Sequence, residues 1–272
     1  CDWSSDVCSS DLLQYSLAQF TGQFPGRHIP WTAASAPVFA VNSYATNNYF
    51  HFMVDSLAQL HWTSRLPAPA KWIVSGYPPA AEATLPFIPS ALSAAGIDGA
   101  ALAPFDGTLL FCPLVMFPRR VTGADPARVG WLRRRFAVEG RARGSARLYI
   151  TRRGARRRIV NEGAVIQALQ RFGFTTIDPG GLSVPEQVQR FSEAAIVVGS
   201  HGAALTNAAF MAPGAALIEL THEARVVPTY HELASAARLA YGVVVGKPEG
   251  NVEQPILADF SVPPAVVVAA VE

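Results

Sequence analysis

From Ala146 to Gly246 the chain repeats one unit, a short near-continuous run of Val, Ile and Leu followed by a stretch with helical spacing. That repetition leaves few folds open. ARLYIT (146–151), TTI (175–177), AIVVG (195–199), ALIEL (216–220) and YGVVVG (241–246) lack the apolar/polar alternation of strands with one wet face, so they read as strands covered on both sides. Helical periods separate them. NEGAVIQALQRFGF puts Val165, Ile166, Leu169 and Phe172 on one face, with Asn161 as a candidate N-cap and Gly173 at the stop. Ser183-Val184-Pro185-Glu186 has the spacing of a capping box, with proline inside the first turn. SHGAALTN (200–207) is a loop opening a short helix, and TYHELASAARLA (229–240) is a further helix. A parallel sheet with helices on both faces is expected.

The first half carries a sparser version of the pattern. PVFAVN (37–42), KWIVSG (71–76) and GTLLF (107–111) read as strands, and PARVGWLRRRFAVEGRA (126–142) as a basic helix. FHFMVDSLAQLHW (50–62) sets Phe50, Met53, Val54, Leu57 and His61 at helical spacing. The fold class is therefore α/β, with two doubly wound units expected, 13–143 and 144–272, meeting at the Gly- and Arg-rich stretch near 140–146. Residues 1–12, CDWSSDVCSSDL, have neither periodicity and read as a non-native leader or a disordered native tail. With them set aside Cys112 stands alone, which leaves no disulfide framework or cysteine metal site and points to a reducing, cytoplasmic setting.

Composition removes several classes of function. At 272 residues, 50% of them hydrophobic, the chain has ample material for a core. No apolar run approaches the ~18 residues of a membrane span, and a formal charge of +2 does not imply nucleic acid. The arginines are nonetheless concentrated between Arg133 and Arg158, which makes that stretch a candidate anion-binding or peripheral membrane surface.

Three groups of residues are candidates for chemistry. GSHGAALTN (199–207) follows a strand and opens a helix, where an α/β sheet places its ligand. Small residues at Gly202, Ala203 and Ala204 permit close approach, and exposed amides at the helix start favour phosphate; a tight turn capped by His201 is the other reading. The sequence is neither GxGxxG nor a Walker loop. Arg152 lies at the carboxyl end of a strand, suited to bidentate phosphate contact, while Arg156, Arg157 and Arg158 read as a solvated patch. Glu219, ending ALIEL, suits either ribose hydroxyls or a loop-anchoring role. Finally, His51 and Asp55 stand i,i+4 at the edge of an apolar stripe. They form either a carboxylate-supported base or a surface pair. No His/Asp/Glu cluster completes a metal site.

Taken together, NNYFHFMVDSLAQL (47–60), RLYITRR (147–153), RRIVNE (157–162), the run 173–211 through HGAALTN, and IEL (218–220) resemble glycosyltransferase family 61. The resemblance spans roughly 37–265, and HGAALTN has Ala204 where the family usually has glycine. It implies two Rossmann-like domains in the GT-B arrangement, the N-terminal one incomplete here. It also implies an inverting transfer without metal or resident cofactor, from a nucleoside-diphosphate sugar (a UDP-sugar) to a saccharide acceptor in capsule or exopolysaccharide synthesis. In such a transfer His51 and Asp55, one helical turn apart, would be the catalytic residues, with His51 as the base and Asp55 orienting it, or Asp55 as the base and His51 positioning it. The donor would meet Arg152, Asn161, Ser183, Glu186, Ser200, His201, Gly202, Ala203, Ala204, Leu205, Asn207 and Glu219. A non-catalytic sugar-nucleotide-binding module is the alternative; a sugar-nucleotide epimerase lacks its dinucleotide fingerprint.

Overall fold

The structure, a computed structural model, describes residues 31–33, 38–41, 48–65, 71–74, 85–97, 109–111, 115–116, 123–152, 157–249 and 257–272. The leader 1–12, Cys112, Arg153 and Arg156 lie outside the described residues.

The strands in chain order are β1 (Trp31–Ala33), β2 (Val38–Val41), β3 (Lys71–Val74), β4 (Leu109–Phe111), β5 (Val115–Met116), β6 (Ala146–Ile150), β7 (Phe174–Ile177), β8 (Ala194–Ser200), β9 (Ala216–His222), β10 (Ala240–Glu249) and β11 (Asp259–Ser261). Six of them form one sheet in the order β11-β10-β9-β8-β6-β7. All its pairings are parallel except β10 with β11. The first half gives a smaller parallel sheet, β3-β2-β5, and a parallel pair, β1-β4. The doubly wound form expected of both halves is thus seen in the six-stranded sheet, and the first half contributes shorter pieces.

Side-chain alternation along the central strands builds two cores. Leu148, Ile150, Val197 and Leu217 face one way, where they join the helices Val184–Ser192 and Thr229–Ala237 and the turn-rich helix Ala203–Phe210. Tyr149, Val198, Ile218 and Leu220 face the other way, under the helices Glu162–Gln170 and Pro264–Ala269. The first core runs on without a break into the first half, taking in Phe52, Met53, Leu57, Ile88, Leu92, Val129 and Leu132. Phe52, Phe191 and Phe210 are at most 1% exposed; burying each stabilises the fold by ~1.5–3 kcal/mol.

The segment 50–62 is helical, though not as the spacing predicts. It winds as a π-helix over His51–Ser56 and a 3₁₀-helix over Leu57–Arg65, and every residue from 52 to 60 is buried. A helix buried all round has no solvent edge, so Asp55, expected at the rim of a stripe, is inside. The basic helix is also shorter than the pattern suggests, ending at Arg135 as Ala137 takes a left-handed φ of 54°.

The capping box at Ser183 forms as expected. The Glu186 amide donates to Ser183 Oγ at 3.4 Å, and the Ser183 amide to Glu186 Oε2 at 2.8 Å. The Ser183 hydroxyl, which donates to Glu186 Oε2 at 2.6 Å, and then the Ser183 amide hold the Glu186 carboxyl below its ordinary pKa. Ser183→Ala is expected to cost ~1 kcal/mol of stability, read as a lower denaturant midpoint with an unchanged slope; an unmoved midpoint would remove the cap from this account.

Candidate functional site

In the six-stranded sheet the chain runs outward from β6 to β7 on one side and from β8 through β11 on the other. The carboxyl ends of β6 and β8 therefore flank a topological switch point, the crevice where open α/β sheets hold ligands. Both parts of the donor-side expectation arrive there. Arg152, two residues past β6, donates from Nη1 to the carbonyl of His201 at 2.6 Å, just past β8. A Cβ on Gly202 would sit 1.6 Å from that Nη1, so only glycine leaves the guanidinium its place. The helix opening at Ala203 leaves its first-turn amides without an intrahelical acceptor. The amides of His201 and Leu205 are already taken, by the carbonyls of Leu220 (2.8 Å) and Gly202 (2.9 Å). This narrows the available backbone to 202–204. Ala204 is not among the described non-glycine residues with left-handed φ, which are Ala137, Arg157 and Arg238, so the alanine in HGAALTN causes no backbone strain.

Behind the loop lies a buried set of polar groups. Glu219, 1% exposed, takes His201 Nδ1 on one oxygen and the Tyr241 hydroxyl on the other, the latter at 2.6 Å. Its carboxylate is buried and engaged on both oxygens, so it ties the loop after β8 to β10. Tyr230 packs edge-on against the His201 ring and donates its hydroxyl to Gly202 O at 2.5 Å. Burial pushes that phenol's pKa well above its ordinary value, keeping it a neutral donor.

Four other expected donor contacts have different places. Asn207 is fully buried, accepting from Tyr49 (2.9 Å) and donating to Gln187 (2.7 Å); it ties Tyr49, just before the helical segment at 51, to the helices Ala203–Phe210 and Val184–Ser192. Asn161 makes no cap bond, and its amide pairs with Val262 N and O at 3.2 and 2.7 Å. Leu205 belongs to the core. Ser200 donates to the carbonyl of Arg157 at 3.4 Å.

That last contact leads to residues the sequence reading missed. Arg157, assigned to a solvated patch, is half-buried with a strained φ of 63°, and its Nε and Nη1 have no hydrogen-bond partner among the described residues. Burial, with Arg152 and Arg225 nearby, lowers its pKa to about 10. It remains a cation at neutral pH, in a crowd of like charges. Arg158 points away, paired with Asp259 at 2.6 Å. Several other arginines of the basic stretch are structural ties. Arg133 bonds the carbonyls of Ala209 (2.8 Å) and Ala237 (3.0 Å), Arg141 Ser192 (3.0 Å), Arg143 Gly214 O (3.1 Å) and Arg147 Phe172 O (3.1 Å).

On the other side of the loop, His51 Nδ1 meets Asp55 Oδ2 at 2.6 Å. Asp55, 4% exposed, also accepts the Gly123 amide at 2.9 Å and lies 3.8 Å from buried Arg128. Edge-on rings link this pair to the donor side, from His51 to Phe50 (5.5 Å), Phe50 to Tyr230 (5.8 Å) and Tyr230 to His201 (5.1 Å). The two candidate halves thus share one packed chain of rings.

A family model described as Glycosyltransferase 61 matches residues 49–218, more than half of the chain. The chain belongs to glycosyltransferase family 61. The matched stretch includes His51, Asp55, Arg152, Arg157 and the loop 200–207, and ends one residue short of Glu219. Membership makes the protein a glycosyltransferase, with a sugar donor and an acceptor as partners. Among curated proteins, none matches it. No grouping of three or more metal-ligating side chains occurs among the described residues of this family 61 chain, and none of their helices is long and apolar enough to cross a membrane.

Proposed function

We propose that the protein is an inverting glycosyltransferase that uses a nucleoside-diphosphate sugar, a UDP-sugar, without divalent metal or resident cofactor. In this reading the diphosphate lies at the switch point between Arg152, Arg157 and the amides 202–204. The observation that carries it is Arg157, a half-buried guanidinium with two shielded nitrogens unpaired. Buried donors without acceptors cost ~1–3 kcal/mol each, and a phosphate oxygen would satisfy both. Two guanidiniums can also meet the charge that grows on the leaving diphosphate, the task a metal ion performs elsewhere.

The acceptor hydroxyl must lose a proton as it attacks the anomeric carbon from the side opposite the diphosphate, through an oxocarbenium-like transition state. His51 is the base in this scheme, with Asp55 fixing its tautomer and stabilising the imidazolium. The larger frame is a GT-B pair of domains, 13–143 toward the acceptor and 144–272 around the donor, in a cytoplasmic enzyme of capsule or exopolysaccharide synthesis.

Calorimetric titration with UDP in excess chelator tests the donor site. Binding should persist, and Arg157→Ala or Arg152→Ala should weaken it by ~1.5–3 kcal/mol, roughly ten- to a hundredfold. Loss of binding with chelator, or unchanged affinity in both variants, contradicts the scheme. Tight binding without transfer to any acceptor of a saccharide panel would mark a sugar-nucleotide-binding module instead.

A further inference from the structure

The edge of the sheet beside Arg157 holds a second set of unpaired donors. His222 ends β9 and is 1% exposed, yet neither ring nitrogen has a hydrogen-bond partner among the described residues. Arg225 follows on the turn Glu223–Arg225, held back toward β9 by Thr221 Oγ1, which donates to Arg225 O at 3.0 Å, and its Nε is also unpaired. A buried imidazole has at least one N–H to place, and leaving it empty is costly. Three neighbouring side chains with orphaned nitrogens, one of them on a strained backbone, point to a ligand of opposite charge.

The charged surroundings of His222 are one-sided. Arg157 faces it from the segment before the helix Glu162–Gln170, Arg225 and Glu223 from the turn after β9, and His201 from the loop after β8. From β11 it meets the ring of Phe260 at 5.4 Å, whose neighbour Asp259 is engaged by Arg158. Burial and then the two arginines depress the imidazole's pKa, with only Glu223 opposing them. These surroundings favour the neutral ring in the free protein.

We propose that His222 and Arg225 form the inner wall of the diphosphate site and that His222 takes up a proton as the diphosphate binds. The inference rests on the donor reading above. An anion set among these groups offsets the repulsion from Arg157 and Arg225, so the imidazolium that was disfavoured in the empty site becomes favoured. By linkage, the diphosphate then binds more tightly as the pH falls. The same linkage acts on the empty protein in the opposite sense. A histidine whose pKa the fold depresses contributes stability that is complete above the ordinary imidazole pKa of ~6.5, and this contribution is lost progressively as the pH falls below that value and through the lower pKa of the folded state.

The test is UDP titration of the wild type and His222→Gln in buffers of differing ionisation enthalpy, between about pH 5.5 and 7.5. Free UDP titrates in this range identically for both proteins, and the imidazole resonances separate a proton taken up by His222 from one taken up by the bound diphosphate. The wild type is expected to take up more proton per UDP, and to gain several-fold more affinity on acidification than the variant. Imidazole C–H resonances of the wild type give a second reading that needs no variant. One of the six histidines should titrate below the ordinary range when free and move upward with UDP. Equal proton uptake by two proteins that both bind UDP, with no imidazole moving, overturns the role of His222 and leaves the donor site standing. Absence of UDP binding to the wild type at any pH overturns both.

Discussion

Replacing His51 by Gln is expected to lower the rate of sugar transfer by ~10²–10⁴-fold while leaving the affinity for UDP nearly unchanged. The expectation follows from how the pair is built. Asp55 is buried, and its two oxygens are committed, one to His51 Nδ1 and one to the Gly123 amide. A carboxylate so engaged is poorly placed to receive a substrate proton and well placed to hold a ring. With the Nδ1 proton directed at Asp55, Nε2 is the ring's acceptor, and the side chain of His51 is 25% exposed against 6% for Asp55. Asp55→Asn should reduce transfer as well, with a changed pH profile, because the amide no longer stabilises the imidazolium. Turnover on a native acceptor is the measurement. If His51→Gln transfers sugar at close to the wild-type rate, the base lies elsewhere.

Glu219→Ala is expected to lower stability by ~2–6 kcal/mol, the scale for two donors inside the protein left without their acceptor. For a chain of this size that corresponds to a fall in melting temperature on the order of 10 °C. The loss comes from two sides, since His201 and Tyr241 both give up their acceptor inside the protein. Glu219→Gln keeps an acceptor oxygen and should recover much of the difference. A carboxylate that bound ribose would behave otherwise, with weakened UDP binding and little change in melting. Thermal unfolding followed by UDP titration separates the two, and an unchanged melting temperature would remove Glu219 from behind the loop.

The second half of the chain was legible because its signals are local. The apolar runs at 146–151 and 195–199 became β6 and β8, and the spacing Ser183 to Glu186 became a capping box, each decided within a few residues. What stayed hidden depends on strand order. Arg157 is far in sequence from His222 and Arg225, and they come together because β6, β8 and β9 are neighbours. Asn161 looked like a cap since its local position is right, but its amide is drawn off by Val262, 101 residues away. Asp55 was placed at a helix edge by counting 3.6 residues per turn, and a π-wound segment enclosed by core does not keep that count. One signal for Arg157 was available at the start. A cation in the loop after a central strand of an α/β sheet stands at the ligand edge, and that applied to Arg157 as well as to Arg152.

Gly202 and Arg152 divide a single volume between them, the space of one missing methyl group filled by one end of a guanidinium. For substitution the two positions therefore behave as one. An alanine at 202 would evict Arg152 long before it disturbed the backbone, so its damage would fall on the anion site and not on the sheet. A shorter residue at 152 would free position 202 to accept a side chain at little steric cost. Engineering of this loop has to treat the pair as a joint choice, with the order of changes mattering: arginine out first, then glycine.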